Sequence, residues 1–228
     1  MFKVFAHRGV HNSRTDENTE QAFLAALNDA SIGGIECDVR YSGDNQLVVA
    51  HDDDLWVTRG QHVLVGNSKA RYLEKNGYAI KLQTVLGMFR DYGEKTVVID
   101  YKTEGDTLRA IQQVEQMAVA FGCKCDIIHL VWQPRYDFTR PGPTVYFAAG
   151  QAHTDFGDLQ RRGYAGVGLH YRGVHGDTRI QPALNAGLLV NLYGDRKHKE
   201  AMMDLAGGYS EGQITVTTDV QQRELRWH

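Results

Sequence analysis

Residues 34–40 read Gly34-Ile35-Glu36-Cys37-Asp38-Val39-Arg40. The run has the length and the residue types of a β-strand. Alternation puts Ile35, Cys37 and Val39 on one face and Glu36 and Asp38 on the other. Acids inside a strand otherwise fit for burial need a reason, because an unpaired buried charge is costly. Upstream, Asn18–Ala30 carries Ala22, Phe23, Ala26 and Leu27 at helical spacing, with Asn18 placed to cap the helix. Downstream, Gln46–Asp52 reads as an extra, hairpin-like strand. Asp53–Lys81 lacks a clear period and reads as a small insertion over one face.

The same strand-then-helix pattern extends in both directions. Lys3–Arg8 forms a strand before the first helix. After the insertion, strands are expected at Thr96–Lys102, Asp126–Trp132, Thr144–Ala149, Gly166–Tyr171, Leu188–Tyr193 and Gln213–Thr218. Helices are expected at Gln83–Tyr92, Asp106–Phe121, Asp155–Arg162, Thr178–Ala186 and Lys197–Leu205, with Gly122, Gly163, Gly187 and Gly207 as stops. Strands alternating with helices make a parallel α/β fold. About eight such units suit a (β/α)₈ TIM barrel, whose usual size is roughly 250 residues. A doubly wound open sheet is the alternative, but the chain has no Gly-rich phosphate loop. Trp132–Pro143 holds three of the four prolines and reads as an irregular connection. Val220–His228 leaves room only for a short last helix. With no repeat or linker, residues 1–228 are expected to form one domain.

Composition narrows the function classes. The chain has 228 residues, 42% hydrophobic and 23% charged, with a formal net charge of −3. These are ordinary globular values. No basic stripe points to nucleic acid, and no apolar run approaches the roughly 20 residues that span a bilayer. Met1–Ala6 runs directly into His7-Arg8-Gly9 with no removable signal pattern, so a cytoplasmic location is expected. Cys37, Cys123 and Cys125 are too few and unevenly placed for a disulfide framework. Cys123-Lys124-Cys125 lacks Cys-x-x-Cys spacing, so these two read as structural.

Polar residues gather at the C-terminal ends of the expected strands. Glu36 and Asp38 share a face, as do Asp100 and Lys102. His7 and Arg8 end the first strand, and His51 follows the apolar run 47–50. In a barrel that end carries the active site. Three carboxylates converging there raise each other's pKa, and a bound cation relieves them. An all-oxygen set favours a hard ion such as Mg²⁺, Ca²⁺ or Mn²⁺ over zinc. The plainer alternative pairs each acid with a nearby Lys or Arg. Two histidines can supply a base and an acid at neutral pH, and Arg and Lys suit phosphate oxygens.

The ordered set Ala6-His7-Arg8-Gly9, Glu17-Asn18-Thr19, Ile35-Glu36-Cys37-Asp38-Val39, Val48-Val49-Ala50-His51-Asp52, Ile99-Asp100-Tyr101-Lys102 and Thr218-Asp219 resembles the glycerophosphodiester phosphodiesterase family. The match is dense over 4–52, moderate at 96–102 and weak over 123–212. The resemblance implies a phosphoric diester hydrolase that acts on a small-molecule phosphodiester through one divalent cation, Mg²⁺ or Ca²⁺ with Mn²⁺ as a third option. It implies Glu36, Asp38 and Asp100 as metal ligands and His7 and His51 as the acid–base pair. It implies Arg8 and Lys102 as phosphate-binding residues. Glu17 would steady Arg8 or the substrate, and Asn18 would cap or brace the first helix. Trp56, Tyr72 and Tyr78 of the insertion are candidates to contact a leaving group.

This chain departs from the family pattern in places. Asp100 stands where the family usually has Glu, Tyr193 where it usually has Trp, and Val131-Trp132-Gln133-Pro134 where a Ser-rich segment is common. Sphingomyelinase D-type phospholipases are similar at the site and also carry Asp, but lack the His51-Asp52-x-x-Leu55 continuation. A lyase that stops at a cyclic phosphate and a non-catalytic binder of phosphodiesters are the alternative functions. His170 is placed to look into the site. The remaining histidines, His11, His62, His129, His153, His175, His198 and His228, read as having no matching partners.

Overall fold

The computed structural model describes residues 2–12, 16–57, 61–103, 106–133, 136–138, 144–148, 154–171 and 179–221. Strand β1 (Lys3–Val10) leads through α1 (Glu20–Leu27) to β2 (Gly34–Tyr41). The short β3 (Leu47–Val49) folds back antiparallel on β2. A hairpin of β4 (Asp54–Val57) and β5 (Gln61–Leu64), then α2 (Ala70–Lys75) and β6 (Ile80–Lys81), completes the insertion. From there α3 (Leu82–Met88), β7 (Thr96–Tyr101), α4 (Thr107–Phe121), β8 (Asp126–Val131) and β9 (Thr144–Ala148) follow. The chain ends with α5 (Phe156–Arg161), β10 (Gly166–His170), α6 (Ile180–Asn185), β11 (Leu189–Gly194), α7 (Lys199–Gly207) and β12 (Ile214–Val220).

Strands β1, β12, β11, β10, β9, β8, β7 and β2 lie side by side in parallel, and β1 pairs with β2 to close the ring. The expected TIM barrel with a hairpin insertion after its second strand is thus the observed architecture. Closure follows from the alternation along each strand. Ile35, Cys37, Val39, Val97, Ile99, Val190 and Leu192 face outward and bury fully against the helices. Inside, Phe5, Val98, Ile128 and Tyr146 form a separate apolar plug. A Cβ at Gly166 would lie 2.8 Å from the Tyr146 ring, so the glycine makes room for that ring inside the barrel. Two residues further along the same faces come His7 and Asp100, above the plug.

The local details differ from expectation at several points. The first helix is capped by Thr19, whose hydroxyl accepts from the Ala22 N–H at 3.2 Å, and not by Asn18. Asn18 sits in the left-handed region at φ 56°, which turns its amide away from the helix. Ala50 N–H still donates to Asp38 C=O of β2 at 3.0 Å, but regular pairing stops at Val49, so the strand expected at Gln46–Asp52 keeps only its centre. Gly207 is the last residue of α7, and the chain exits through Gly208 at φ −77° without a left-handed turn. Gly122 does end α4 in the left-handed region, at φ 68°. His129 lies on β8 and is fully buried, with Tyr101 Oη 2.6 Å from its Nδ1 and Glu115 Oε1 2.8 Å from its Nε2. It therefore has the partners that its sequence context did not reveal. Residues 132–133 and 136–138 form neither helix nor strand, and the rest of the expected irregular connection, residues 134–135 and 139–143, is outside the described residues. Most of the expected last helix, residues 222–228, together with His153, His175 and Thr178, also falls outside them.

Candidate active site

Parallel register decides which side chains meet at the mouth of the barrel. His7 pairs with Glu36 across β1 and β2, and Asp38 pairs with Asp100 across β2 and β7. Inward-facing residues at paired positions sit side by side, so three carboxylates are forced together. Oxygens of Glu36, Asp38 and Asp100 all lie within 4.8 Å of one another, and all three residues are buried.

Cations surround the cluster from both sides. Arg8 Nε lies 2.9 Å from Asp38 Oδ2, and Arg8 Nη1 lies 2.6 Å from Glu17 Oε1. Lys102 Nζ lies 2.7 Å from Asp100 Oδ2 and 3.4 Å from Asp38 Oδ1. Trp132 Nε1 donates to the other Asp100 oxygen at 2.6 Å, and Lys102 Nζ lies 5.3 Å from the Trp132 ring centre. Asn18 Nδ2 donates to Asp38 Oδ2 at 3.1 Å, so its role is to hold a candidate ligand.

Backbone geometry aims Arg8. Its φ is 54°, in a region that L residues other than Asn and Asp seldom adopt. The β1–β12 register shifts between Ala6 and Val10, as at a bulge, which re-aims the side chain. The strained turn is tied down at both ends. Arg8 N–H donates to Glu36 Oε2 at 3.2 Å, and Arg8 C=O accepts from Asn18 N–H at 2.9 Å. Gly9 follows at φ 82°, and a Cβ there would meet the Ala22 backbone at 2.7 Å. Glycine is required by both constraints.

The electrostatics follow from burial and register. Burial pushes Glu36 up to about 8, helped by Asp38 and opposed by His7. Burial also raises Asp100, against the pull of Lys102. Asp38 is buried too, yet Arg8 and Lys102 hold it below the usual carboxylate range. Burial works against a charged His7, but Glu36 and the Asp219 hydrogen bond outweigh it and raise the imidazole to about 9. Arg8 and Lys102 thus offset part of the cluster's charge, as the plainer alternative expects. Glu36 is the member left without a Lys or Arg partner at ion-pair distance among the described residues. Hard oxygen donors, close spacing and an acid with no Lys or Arg partner are what a divalent cation fits.

Asp219 is the residue whose role the sequence did not reveal. It is the penultimate residue of β12, and its Oδ1 accepts from His7 Nδ1 at 2.7 Å. This leaves His7 Nε2 turned toward Glu36 Oε2, 3.8 Å away. His11 Nε2 lies 3.7 Å from the same Asp219 oxygen, so His11 also joins this edge. Only the family resemblance had drawn attention to Thr218-Asp219, and it assigned no partner.

His51 lies on the other side. Its Nδ1 is 2.9 Å from Asp52 Oδ1, and its C=O accepts from Arg40 Nε at 2.8 Å. A cleft of about 300 Å³ opens beside it, bounded by Glu17, Asn18, Leu55, Trp56 and Tyr78. Tyr72 does not line this cleft and packs edge-on against Tyr78 at 6.0 Å. His170 packs edge-on on Tyr193 at 5.1 Å, and Tyr193 in turn meets Trp132 at 6.4 Å. The structure therefore brings His7, Arg8, Glu17, Asn18, Glu36, Asp38, Asp100 and Lys102 into one connected cluster, with His51 on its rim.

The family model for the glycerophosphoryl diester phosphodiesterase family matches residues 7–128, more than half of the chain. The chain belongs to this family. Solved structures agree on the fold. A glycerophosphodiester phosphodiesterase from Thermotoga maritima superposes with a TM-score of 0.73 at 18% identity, covering 97% of this chain and 95% of that one. An Oleispira antarctica phosphodiesterase in complex with the product sn-glycerol-3-phosphate gives a TM-score of 0.75 at 19% identity, covering 97% and 94%. An uncharacterized protein of Bacillus subtilis (strain 168), YqiK, is 44% identical over 55 residues, which is 24% of this chain and 22% of that protein. Among the described residues, no helix is long and apolar enough to cross a membrane.

Proposed function

We propose that this family member hydrolyses glycerophosphodiesters to an alcohol and glycerol 3-phosphate, with one divalent cation, Mg²⁺ or Ca²⁺. The observation that carries the reading is the register that sets His7 beside Glu36 and Asp38 beside Asp100 at the mouth. The bound product of the Oleispira antarctica relative supports the choice of substrate class.

Glu36, Asp38 and Asp100 would hold the cation. When bound, it supplies charge neutralisation for the phosphoryl oxygens. The rest of the chemistry belongs to the chain's own groups. Arg8 and Lys102 bind the non-bridging phosphate oxygens and stabilise the charge that grows on them. Glu17 and Asn18 keep Arg8 and Asp38 in place. One of His7 and His51 takes the proton of the attacking water, or of a neighbouring substrate hydroxyl whose cyclic product water then opens, and the other protonates the leaving oxygen. Asp219 fixes the His7 ring so that Nε2 is the atom that exchanges the proton. The cleft beside His51, walled by Trp56 and Tyr78, receives one arm of the diester.

Phosphorus NMR of purified protein with mixed glycerophosphodiesters tests the reading. Parallel samples contain chelator, Mg²⁺, Ca²⁺ or Mn²⁺. The expected result is a glycerol 3-phosphate signal that grows with cation and not with chelator. A persistent cyclic phosphate would replace hydrolysis by the lyase route. An unchanged spectrum in every sample, with cation binding intact, would favour a binder.

A further inference from the structure

At the opposite end of the barrel from this site, we propose that Cys123 and Cys125 form a redox-active pair, closing to an intrachain disulfide by exchange with a small-molecule disulfide such as oxidised glutathione. Their sulfurs lie 3.1 Å apart, and both thiols are free and half-buried. Each backbone is fixed independently. Gly122 at φ 68° turns the chain out of α4, and Cys123 N–H donates back to Ala118 C=O at 2.9 Å. This is a Schellman end, which pins the residue after the glycine. Cys125 runs straight into β8, whose first residue Asp126 is in register with Thr96 of β7. Helix cap and sheet therefore hold the sulfurs together before any bond forms, which is the geometric condition for a bridge.

Access and asymmetry complete the case. Gly122, Lys124 and Asp126 beside the pair are all exposed, so a small oxidant reaches it. The hydrogen bond from Cys125 brings Cys123 down to about 7, and the same contact pushes Cys125 up. Cys123 is then the attacking thiolate and Cys125 the resolving thiol. In the first exchange Cys123 bonds to one glutathione sulfur and expels the other as thiolate. In the second, Cys125 gives up its proton, its sulfur bonds to Cys123, and the second glutathione leaves. Two protein thiols are oxidised and one external disulfide is reduced to two thiols. A bridge across a single residue removes little freedom from the unfolded chain, so its use is redox response and not stapling.

Cys37 provides an internal control, being fully buried, with burial raising its thiol well above the ordinary range. The test equilibrates the folded protein over a series of reduced-to-oxidised glutathione ratios, then counts alkylated thiols by mass spectrometry. The expected result is joint loss of alkylation at Cys123 and Cys125 in one two-electron transition, reversed by reductant, while Cys37 stays reduced and is alkylated only after unfolding. In Cys125→Ser, mixed disulfide with glutathione accumulates on Cys123. Alkylation of both thiols at every ratio, or stable glutathione adducts on the wild-type protein without ring closure, would overturn the proposal. The wild-type titration decides the matter even where a serine variant folds poorly.

Discussion

The two halves of the barrel share one architecture and differ in what they point inward. Strands β1, β2 and β7 present His7, Glu36, Asp38 and Asp100 at the mouth, with Arg8 and Lys102 beside them. Strands β10, β11 and β12 present Gly166, Gly168, Asn191, Thr215 and Thr217, which are small and neutral, with His170 and Tyr193 above them in the row of Thr217. Asn191 Nδ2 donates to Thr215 Oγ1 at 2.9 Å and to Thr217 Oγ1 at 3.0 Å, so this side is internally satisfied. The family model ends at residue 128, close to the same divide. One half concentrates unbalanced charge and holds Arg8 in a strained turn, and the other closes the ring with matched dipoles. The second half contributes one acid to the other side, Asp219 on His7. Buried charge is thus gathered on an arc of the wall, and the remainder closes the ring around it.

The largest expected effect lies in the charged arc. His7→Ala and His51→Ala should each lower turnover by about 10²–10⁴-fold, the range for losing a general acid or base. The melting temperature of His51→Ala should stay near wild type, since that side chain is partly exposed, while His7→Ala should melt lower because it gives up the Asp219 and Glu36 contacts without losing the fold. Phosphodiester turnover by phosphorus NMR, beside a thermal melt, checks both statements. Near wild-type rates in both variants would remove the acid–base assignment and leave a binding site.

Asp219→Asn asks whether the neutral half reaches the chemistry. An amide in place of this carboxylate weakens the hold on His7 Nδ1 while keeping the shape. Turnover should fall by about 10–100-fold, as for other groups that orient a working histidine. The His7 pKa should also fall, because Asp219 is one of the groups that raise it to about 9. A histidine NMR titration reads that shift separately from activity. Unchanged titration and turnover together would return Asp219 to a purely structural place.

Much of the charged arc was legible because its residues are local signals on strands. Glu36, Asp38 and Asp100 violate the apolar pattern of buried strands, and in-register parallel pairing brings violations at equal height together. Alternation also revealed the barrel. Asp219 was not legible in the same way, since it meets His7 across 212 positions and only ring closure joins their strands. The Asn18 reading failed for a related reason. Its left-handed backbone is set by the Arg8 turn, so the cap passed to Thr19. Trp132 reads as the junction of a strand and an irregular connection, and only the folded position just past β8 sets its indole N–H against Asp100. Cys123 and Cys125 lack a known spacing, and only the helix end and the strand start bring their sulfurs together.

Gly166 probes the neutral half on its own terms. An alanine Cβ there would meet Leu189 C=O at 2.7 Å and the Tyr146 ring at 2.8 Å. The plug or the β10–β11 pairing must shift, at a cost of about 1–3 kcal/mol for overpacking. Chemical denaturation measures that loss. Turnover per folded molecule should stay unchanged, because no group of the charged arc touches this site. A drop in turnover without a drop in stability would show that the two halves are not separable.

The smallest effect concerns how the charged arc carries its charge without a cation. Glu36 is raised to about 8 and His7 to about 9, so the folded, metal-free protein holds protons that the unfolded chain has already released. The His7 contribution is fully present below its unfolded value of 6.5 and is lost as pH rises through about 9. The Glu36 contribution behaves the same way between 4.5 and about 8. Stability in chelator should therefore fall as pH rises from about 6 to about 9. On the acid side, Asp38 and Asp219 are depressed, so their stabilisation is present above 3.8 and lost as pH falls below it. Saturating Mg²⁺ or Ca²⁺ favours the ionised carboxylates and should flatten the alkaline decline. Glu36→Gln should also lessen it in chelator, and more than by its own share, because the Glu36 charge is the main influence raising His7. Melting curves across pH, with chelator and with cation, read all three slopes. A flat profile in chelator would mean that Arg8 and Lys102 already balance the arc. The contrast between its two halves would then be one of placement and not of stored charge.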